Sequence, residues 1–236
     1  MEADPVQEMG TAEKKTWIVL ENNPDVMTEL ATKLGLSAEL QFYNVYSLDE
    51  PQLLQHIPTW NAERQAEDSA KPDYSGVVSQ EPVTWFKQTI GNACGSIGLL
   101  HCAINGGAAP FIRPGSDLDT IRKSATPLRM AQRADMLYNN TAFEAAHKSV
   151  ESRGDTTASR TTGHSGQHFV AFVKAESRLW ELEGGRKGPI DRGGLKDDED
   201  ALSPRALDMG LKRIIQLERD NGFGDVRFSC IALAHK

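Results

Sequence analysis

Chemistry in this chain would start from Cys94, whose surroundings are those that a nucleophile needs. It stands in QTIGNACGSIGLLHCAINGG (88–107), where Ile97, Leu99, Leu100, Ala103 and Ile104 recur at roughly helical spacing and Asn105-Gly106-Gly107 signals a stop. Gly91-Asn92 can bring the chain into that helix, with Asn92 the candidate N-cap. Cys94 then falls in or beside the first helical turn. Unpaired N–H groups and the helix dipole favour negative charge there, and the thiolate is the nucleophilic form of a cysteine. Gln88, six residues earlier, is placed to lend its amide N–H to an oxyanion beside the same sulfur. The plain alternative is a buried core cysteine at a helix start, since free cysteines are among the most buried residues.

A base and its orienting group can be found 74 residues further on, in HFVAFVKAESRLWELEGG (168–185). The alternation reads as a hairpin, with His168 to Val173 as one strand, Leu179 to Glu183 as the other and a turn at Lys174–Ser177. Pairing Val173 with Arg178 sets His168 opposite Glu183, with Cβ atoms about 5 Å apart. A thiolate, an imidazole and a third group fixing the imidazole tautomer form a triad. The other histidines have plainer expectations. His101 is mid-helix and packed or partly exposed, His164 lies in a loop, and His56, His147 and His235 lack partners. Cys102 and Cys230 read as core.

The elements that must position these residues follow in order. Residues 1–14 read as a disordered leader. A short strand, a turn at Asn22-Asn23-Pro24 and a helix bearing Met27, Leu30 and Leu34 come next, ended by Gly35. A strand with Phe42 and Val45 precedes a helical turn near Pro51. Residues 58–82 are polar, with no core-quality run beyond Val77-Val78, and read as a loop or disordered insert. After the cysteine helix, Pro127 is expected to open a helix with Met130, Ala134 and Leu137. Asn139-Asn140 breaks it before a helix from Thr141 to Val150. Residues 152–167 are a Gly/Ser/Thr-rich loop, Gly185–Gly194 a surface turn, and Ser203-Pro204 starts a helix carrying Leu207, Leu211, Ile214 and Leu217. VRFSCIALA is an alternating strand.

The totals narrow the function classes. With 33 Asp and Glu against 26 Lys and Arg, the net charge of −7 argues against nucleic acid and acidic membranes as partners and suits a basic one. The start, MEADPVQEMG, has neither signal- nor transit-peptide character, and no apolar run of spanning length follows. Three cysteines without metal-ligand spacing suggest a reducing compartment, so a cytoplasmic location is expected, with the nucleus as the other option.

Gln88, Gly91-Asn92-Ala93-Cys94-Gly95 and Asn105 together resemble the active-site segment of the ubiquitin C-terminal hydrolases, a family of papain-like cysteine proteases. Trp17, Leu20-Glu21, Asn23-Pro24, Leu34-Gly35 and Phe42…Val45-Tyr46 resemble the family's opening. Leu179-Trp180-Glu181-Leu182-Glu183-Gly184 resembles its motif for the third triad member, which is normally Asp. Glu183 is one methylene longer, which implies a displaced imidazole and reduced activity. The family's apolar strand after Ile57-Pro58 has no counterpart here, and 152–167 corresponds to its crossover loop.

The resemblance implies one α/β (α+β) domain over 15–236, with a mainly antiparallel central sheet flanked by helices and a knotted backbone. It implies a thiol hydrolase that cleaves small adducts or short peptides from ubiquitin's C-terminal glycine. Cys94 would attack, His168 would act as base and then acid, Glu183 would orient it, and Gln88 with the Cys94 N–H would hold the oxyanion. No metal or cofactor is called for, and a monomer is expected. The acidic surface suits ubiquitin's arginine-bearing tail. Two alternatives stay open: a weak or inactive ubiquitin-binding relative, and a hydrolase for a ubiquitin-like modifier.

Overall fold

A computed structural model describes residues 14–45, 65–76, 81–155, 168–220 and 229–236, without the side chains of 217–220. Residues 1–13 of the leader, the turn near Pro51, residues 58–64 and 77–80, and most of the crossover loop with His164 lie outside the described residues.

Helix α1 (Pro24–Leu34) begins where Asn23 Oδ1 accepts the N–H groups of Asp25 and Val26. It ends at Gly35, whose φ of 112° only glycine adopts readily and whose N–H returns to the Ala31 and Thr32 carbonyls. Strand β1 (Leu40–Val45) follows. Helix α2 (Cys94–Ile104) is the centre of the molecule, packed by α1, α3 (Asp117–Ala125) and β2 (Ala171–Ala175). Nine of its eleven residues are buried, the pattern of a helix enclosed on all sides. Helices α4 (Met130–Tyr138) and α5 (Thr141–Lys148) complete the helical side. With β2 lie β3 (Arg178–Leu182) and β4 (Ile190–Gly194), followed by α6 (Pro204–Met209) and α7 (Leu211–Asp220), while β5 (Cys230–His235) returns to pair with β1 against the main core.

The main core joins Leu30, Leu34, Phe86, Leu100, Leu118 and Phe143, all fully buried, and a smaller one lies under β2 around Trp85 and Leu182. At roughly 1.5–3 kcal/mol per large apolar side chain, these contacts carry the fold. The strands are antiparallel as expected but form two ladders, β1–β5 and β2–β3–β4, rather than one sheet. Among the described residues no strand joins them, in keeping with the lack of an apolar run in 58–82. The knot expected from the resemblance is not traced by the described residues.

Several local expectations are corrected. The first strand is a single bridge, Thr16 to Gly91. Residues 65–76 are not free loop: 65–69 are helical, and Tyr74 meets Trp85 edge-on at 5.9 Å. Pro127 sits in a turn ahead of α4, which begins at Met130. The Gly185–Gly194 turn includes strand β4, whose Ile190 is buried. The helix after Ser203-Pro204 is broken at Gly210 into α6 and α7, where an added Cβ would crowd Phe172 at 3.0 Å.

Candidate active site

Cys94 opens α2 and is 7% exposed. Asn92 is not the N-cap. Its φ of 59° puts it in the left-handed region, and its amide donates to the Trp17 carbonyl at 3.1 Å. Ala93 takes the cap position and has no side chain to offer, so no side chain caps the N–H groups of the first turn, which also holds no acidic residue. The positive end of the helix dipole is therefore left to act on the sulfur.

Packing brings His168 to this point. Gly95 and Gly98, three apart on one helix face, leave a shallow groove for Phe169, which would lie 3.4 and 3.6 Å from a Cβ added at either position. With Phe169 seated there, its neighbour His168 comes close enough to Cys94 for the two side chains to interact electrostatically. His168 Nε2 donates to Glu183 Oε1 at 2.6 Å, and the Gly185 N–H donates to the same oxygen at 2.8 Å. Glu183 has a fully buried side chain, while the imidazole is 26% exposed. Burial alone would push the imidazole pKa down. The interactions with Cys94 and Glu183 outweigh it and raise the value to about 9. The ring is thus an imidazolium at neutral pH, the counter-charge that a thiolate needs.

The hairpin reaches this geometry by a register two residues away from the expected one. Glu176 and Ser177 both have positive φ, 49° and 54°, so the loop is a two-residue turn and Ala175 pairs with Arg178. The ladder pairs Ala171 with Leu182, so its continuation sets Glu183 level with residue 170, diagonal to His168 on the same face. Glu183 reaches its partner across that diagonal. The displacement expected from its extra methylene does not break the contact.

Gln88 lies at the end of an extended, buried segment held against α2 by two side-chain rungs. Asn105 accepts the Thr84 N–H at 2.7 Å and donates to the Thr84 carbonyl at 3.0 Å, and His101 Nε2 accepts the Phe86 N–H at 3.0 Å. The Gln88 N–H donates to the Gly184 carbonyl at 2.8 Å, and an added Cβ on Gly184 would meet Gln88 Cβ at 2.8 Å. Residue 184 must therefore be glycine for the Glu183 turn to reach Gln88. The Gln88 amide donates to the Ile90 carbonyl at 3.1 Å.

A family model described as ubiquitin carboxyl-terminal hydrolase, family 1, matches residues 17–216. The chain belongs to this family. A relative from Arabidopsis thaliana, ubiquitin carboxyl-terminal hydrolase 3, is 32% identical over 239 residues, covering 96% of this chain and 97% of its own. One from Aplysia californica is 33% identical over 198 residues, covering 79% and 90%. The fold resembles that of Trichinella spiralis UCH37, crystallised bound to ubiquitin vinyl methyl ester, with a TM-score of 0.64, 23% identity and coverage of 93% and 82%. By membership this hydrolase is a cysteine-type deubiquitinating enzyme.

The other described histidines of this ubiquitin hydrolase, His101, His147 and His235, are structural. His101 is fully buried, and burial lowers its pKa to about 4. His147 does have partners: Nδ1 meets Ser96 Oγ at 2.8 Å, Nε2 meets the Ile18 carbonyl at 2.9 Å, and the ring lies 4.3 Å from Trp17. His235 packs edge-on against Phe111. Cys102 and Cys230 are half-buried rather than fully buried, and desolvation raises both thiols. Among the described residues, no cluster of three or more His, Cys, Asp or Glu could hold a metal, and no helix is long and apolar enough to cross a membrane. The sequence reading missed the Gly95–Gly98 groove, which was visible as GSIG, and the arginines behind Glu183.

Proposed function

We propose that Cys94, His168, Glu183 and Gln88 act together in hydrolysing the bond after ubiquitin's C-terminal glycine. The observation that carries this is the His168 imidazole, hydrogen-bonded to the buried Glu183 and beside Cys94 at the uncapped start of α2. The Cys94 thiolate attacks the carbonyl carbon. The oxyanion is taken by the Cys94 N–H and by the second N–H of the Gln88 amide, whose first holds Ile90. The C–N bond breaks as the His168 imidazolium gives its proton to the leaving amine. Water then attacks the thioester, giving its proton to His168 and restoring the thiolate and imidazolium. Small adducts and short peptides are the leaving groups we assign, and a monomer is the assigned state. A reducing cytoplasmic or nuclear setting is supported by three free cysteines.

The test is to mix the purified chain with ubiquitin carrying a C-terminal thiol-reactive group, beside Cys94→Ala. Labelling of the wild type alone is expected. An unlabelled protein that still melts cooperatively would overturn the assignment and leave a ubiquitin-binding relative. Faster turnover of a ubiquitin-like modifier measured in parallel would overturn the choice of substrate.

A further inference from the structure

Behind Glu183 lies a group of buried charges that the reaction does not explain. Glu181 and Glu183 are two apart at the end of β3, share a face and have fully buried side chains. Two buried carboxylates so placed repel unless a cation stands between them. Arg186, 1% exposed, does: Nη2 lies 3.2 Å from Glu181 Oε1 and Nε 3.8 Å from Glu183 Oε2. Arg192 on β4 donates to Glu181 Oε2 at 2.8 Å. These residues all belong to β3, β4 and the turn between them. The remaining anion comes from elsewhere. Glu67, in the helical turn 65–69 of the polar segment, takes Arg186 Nη2 at 2.5 Å and both Arg192 Nη atoms at 2.7 and 3.2 Å.

Glu67, Glu181 and Glu183 thus face Arg186, Arg192 and the His168 imidazolium, three charges against three. Asp68 and Arg213 stand further off, each 3.7 Å from its partner, Arg186 and Glu181 respectively. Neutral His101 flanks Glu183 and Cys94 flanks His168. We propose that Glu67 is a positioning residue for the catalytic pair, anchoring Arg186 and Arg192 so that Arg186 stays beside Glu183 without displacing His168. The polar insert then has a role, bracing the hairpin from outside. Although partly exposed, Glu67 has its pKa lowered to about 2: desolvation opposes this, and Arg192 and Arg186 overcome it.

The inference rests on the catalytic assignment above. The test compares Glu67→Gln, which keeps the shape and removes the charge, with Asp68→Asn in the same turn. The readouts are the His168 imidazole titration by NMR, the pH profile of kcat/KM on a ubiquitin amide substrate, and ubiquitin affinity. Glu67→Gln should lower the His168 pKa by about half to one unit, move the alkaline limb of the profile by the same amount, and cut kcat about 5- to 20-fold with unchanged ubiquitin affinity. Asp68→Asn should shift the titration by less than half as much. A Glu67→Gln protein that titrates like wild type, with only its melting temperature lowered, would falsify the proposal, as would equal shifts in both variants. If Glu67→Gln does not fold, Glu67→Asp, which keeps the charge but shortens the reach to Arg186 and Arg192, must still shift the His168 titration acidward for the proposal to stand. Failure of the wild type to label at Cys94 instead strikes the catalytic assignment, because the NMR titration does not depend on turnover.

Discussion

Two histidines meet the first turn of α2 from opposite sides, His168 at Cys94 and His147 at Ser96, two residues or about 200° further round the helix. Both lose solvation, yet the imidazole pKa rises to about 9 in one and falls to about 4 in the other. Burial is the largest influence on each. The difference lies in the partners. His168 has a carboxylate at 2.6 Å and the cysteine, whereas His147 has a neutral hydroxyl, a backbone carbonyl and Glu151 only at 3.7 Å. A carboxylate within hydrogen-bond distance overturns the effect of burial, and one beyond it does not.

Removing the carboxylate should make the two sites alike. Glu183→Gln is expected to lower kcat/KM by about 10³- to 10⁴-fold and bring the His168 titration down to or below the ordinary imidazole value, read by NMR. Glu183→Asp sharpens the point. It restores the acid usual at this position but shortens the reach across the diagonal, so kcat/KM should fall about tenfold rather than rise. An equal or higher rate would show that the hairpin closes up readily.

The opposite signs of the two shifts give opposite pH dependences of stability. His101 and His147 have folded pKa values of about 4, so the unfolded chain, near 6.5, binds more protons between those values. Their contribution to stability is full above about pH 6.5 and is lost as pH falls through 4, at up to about 1.4 kcal/mol per pH unit for each. His168 runs the other way: its contribution is full below about 6.5 and is lost as pH rises through 9. Urea unfolding midpoints should therefore fall at both ends. His147→Gln should flatten the acid side and leave the alkaline side unchanged, and an unaltered acid slope would show that His147 titrates normally. The smallest effect belongs to Ser96→Ala, which removes the hydroxyl from His147 and should cost about 1–2 kcal/mol by the same measurement, with the Cys94 labelling rate unchanged.

Sequence made some of this legible and hid the rest for identifiable reasons. The Cys94 helix, its apolar pattern and its Asn105 end are local signals, and so is the Asn23-to-Gly35 bracketing of α1. The His168–Glu183 encounter survived a register error because a slip of two residues preserves the face of a strand. The turn was misjudged because Glu176-Ser177 is not the Asn-Gly or Asp-Gly pair that signals two left-handed residues. His147, its partners Ser96 and Ile18, and the Glu67–Arg186–Arg192 group could not be read at all. Each joins segments far apart in the chain, and no periodicity records such meetings.

The β1–β5 ladder carries a consequence for how the molecule is made. Leu40 pairs with His235, and the Tyr43 hydroxyl reaches the His235 carbonyl across 192 positions. Loop-closure entropy must be met before so distant a pairing contributes anything, whereas the β2–β3 hairpin closes over two residues. The hairpin next to His168 can therefore form early, and the ladder joining β1 to the last described strand closes last. During synthesis the β2–β3 hairpin emerges while β1 still waits, its edge open, for a strand that has yet to be translated.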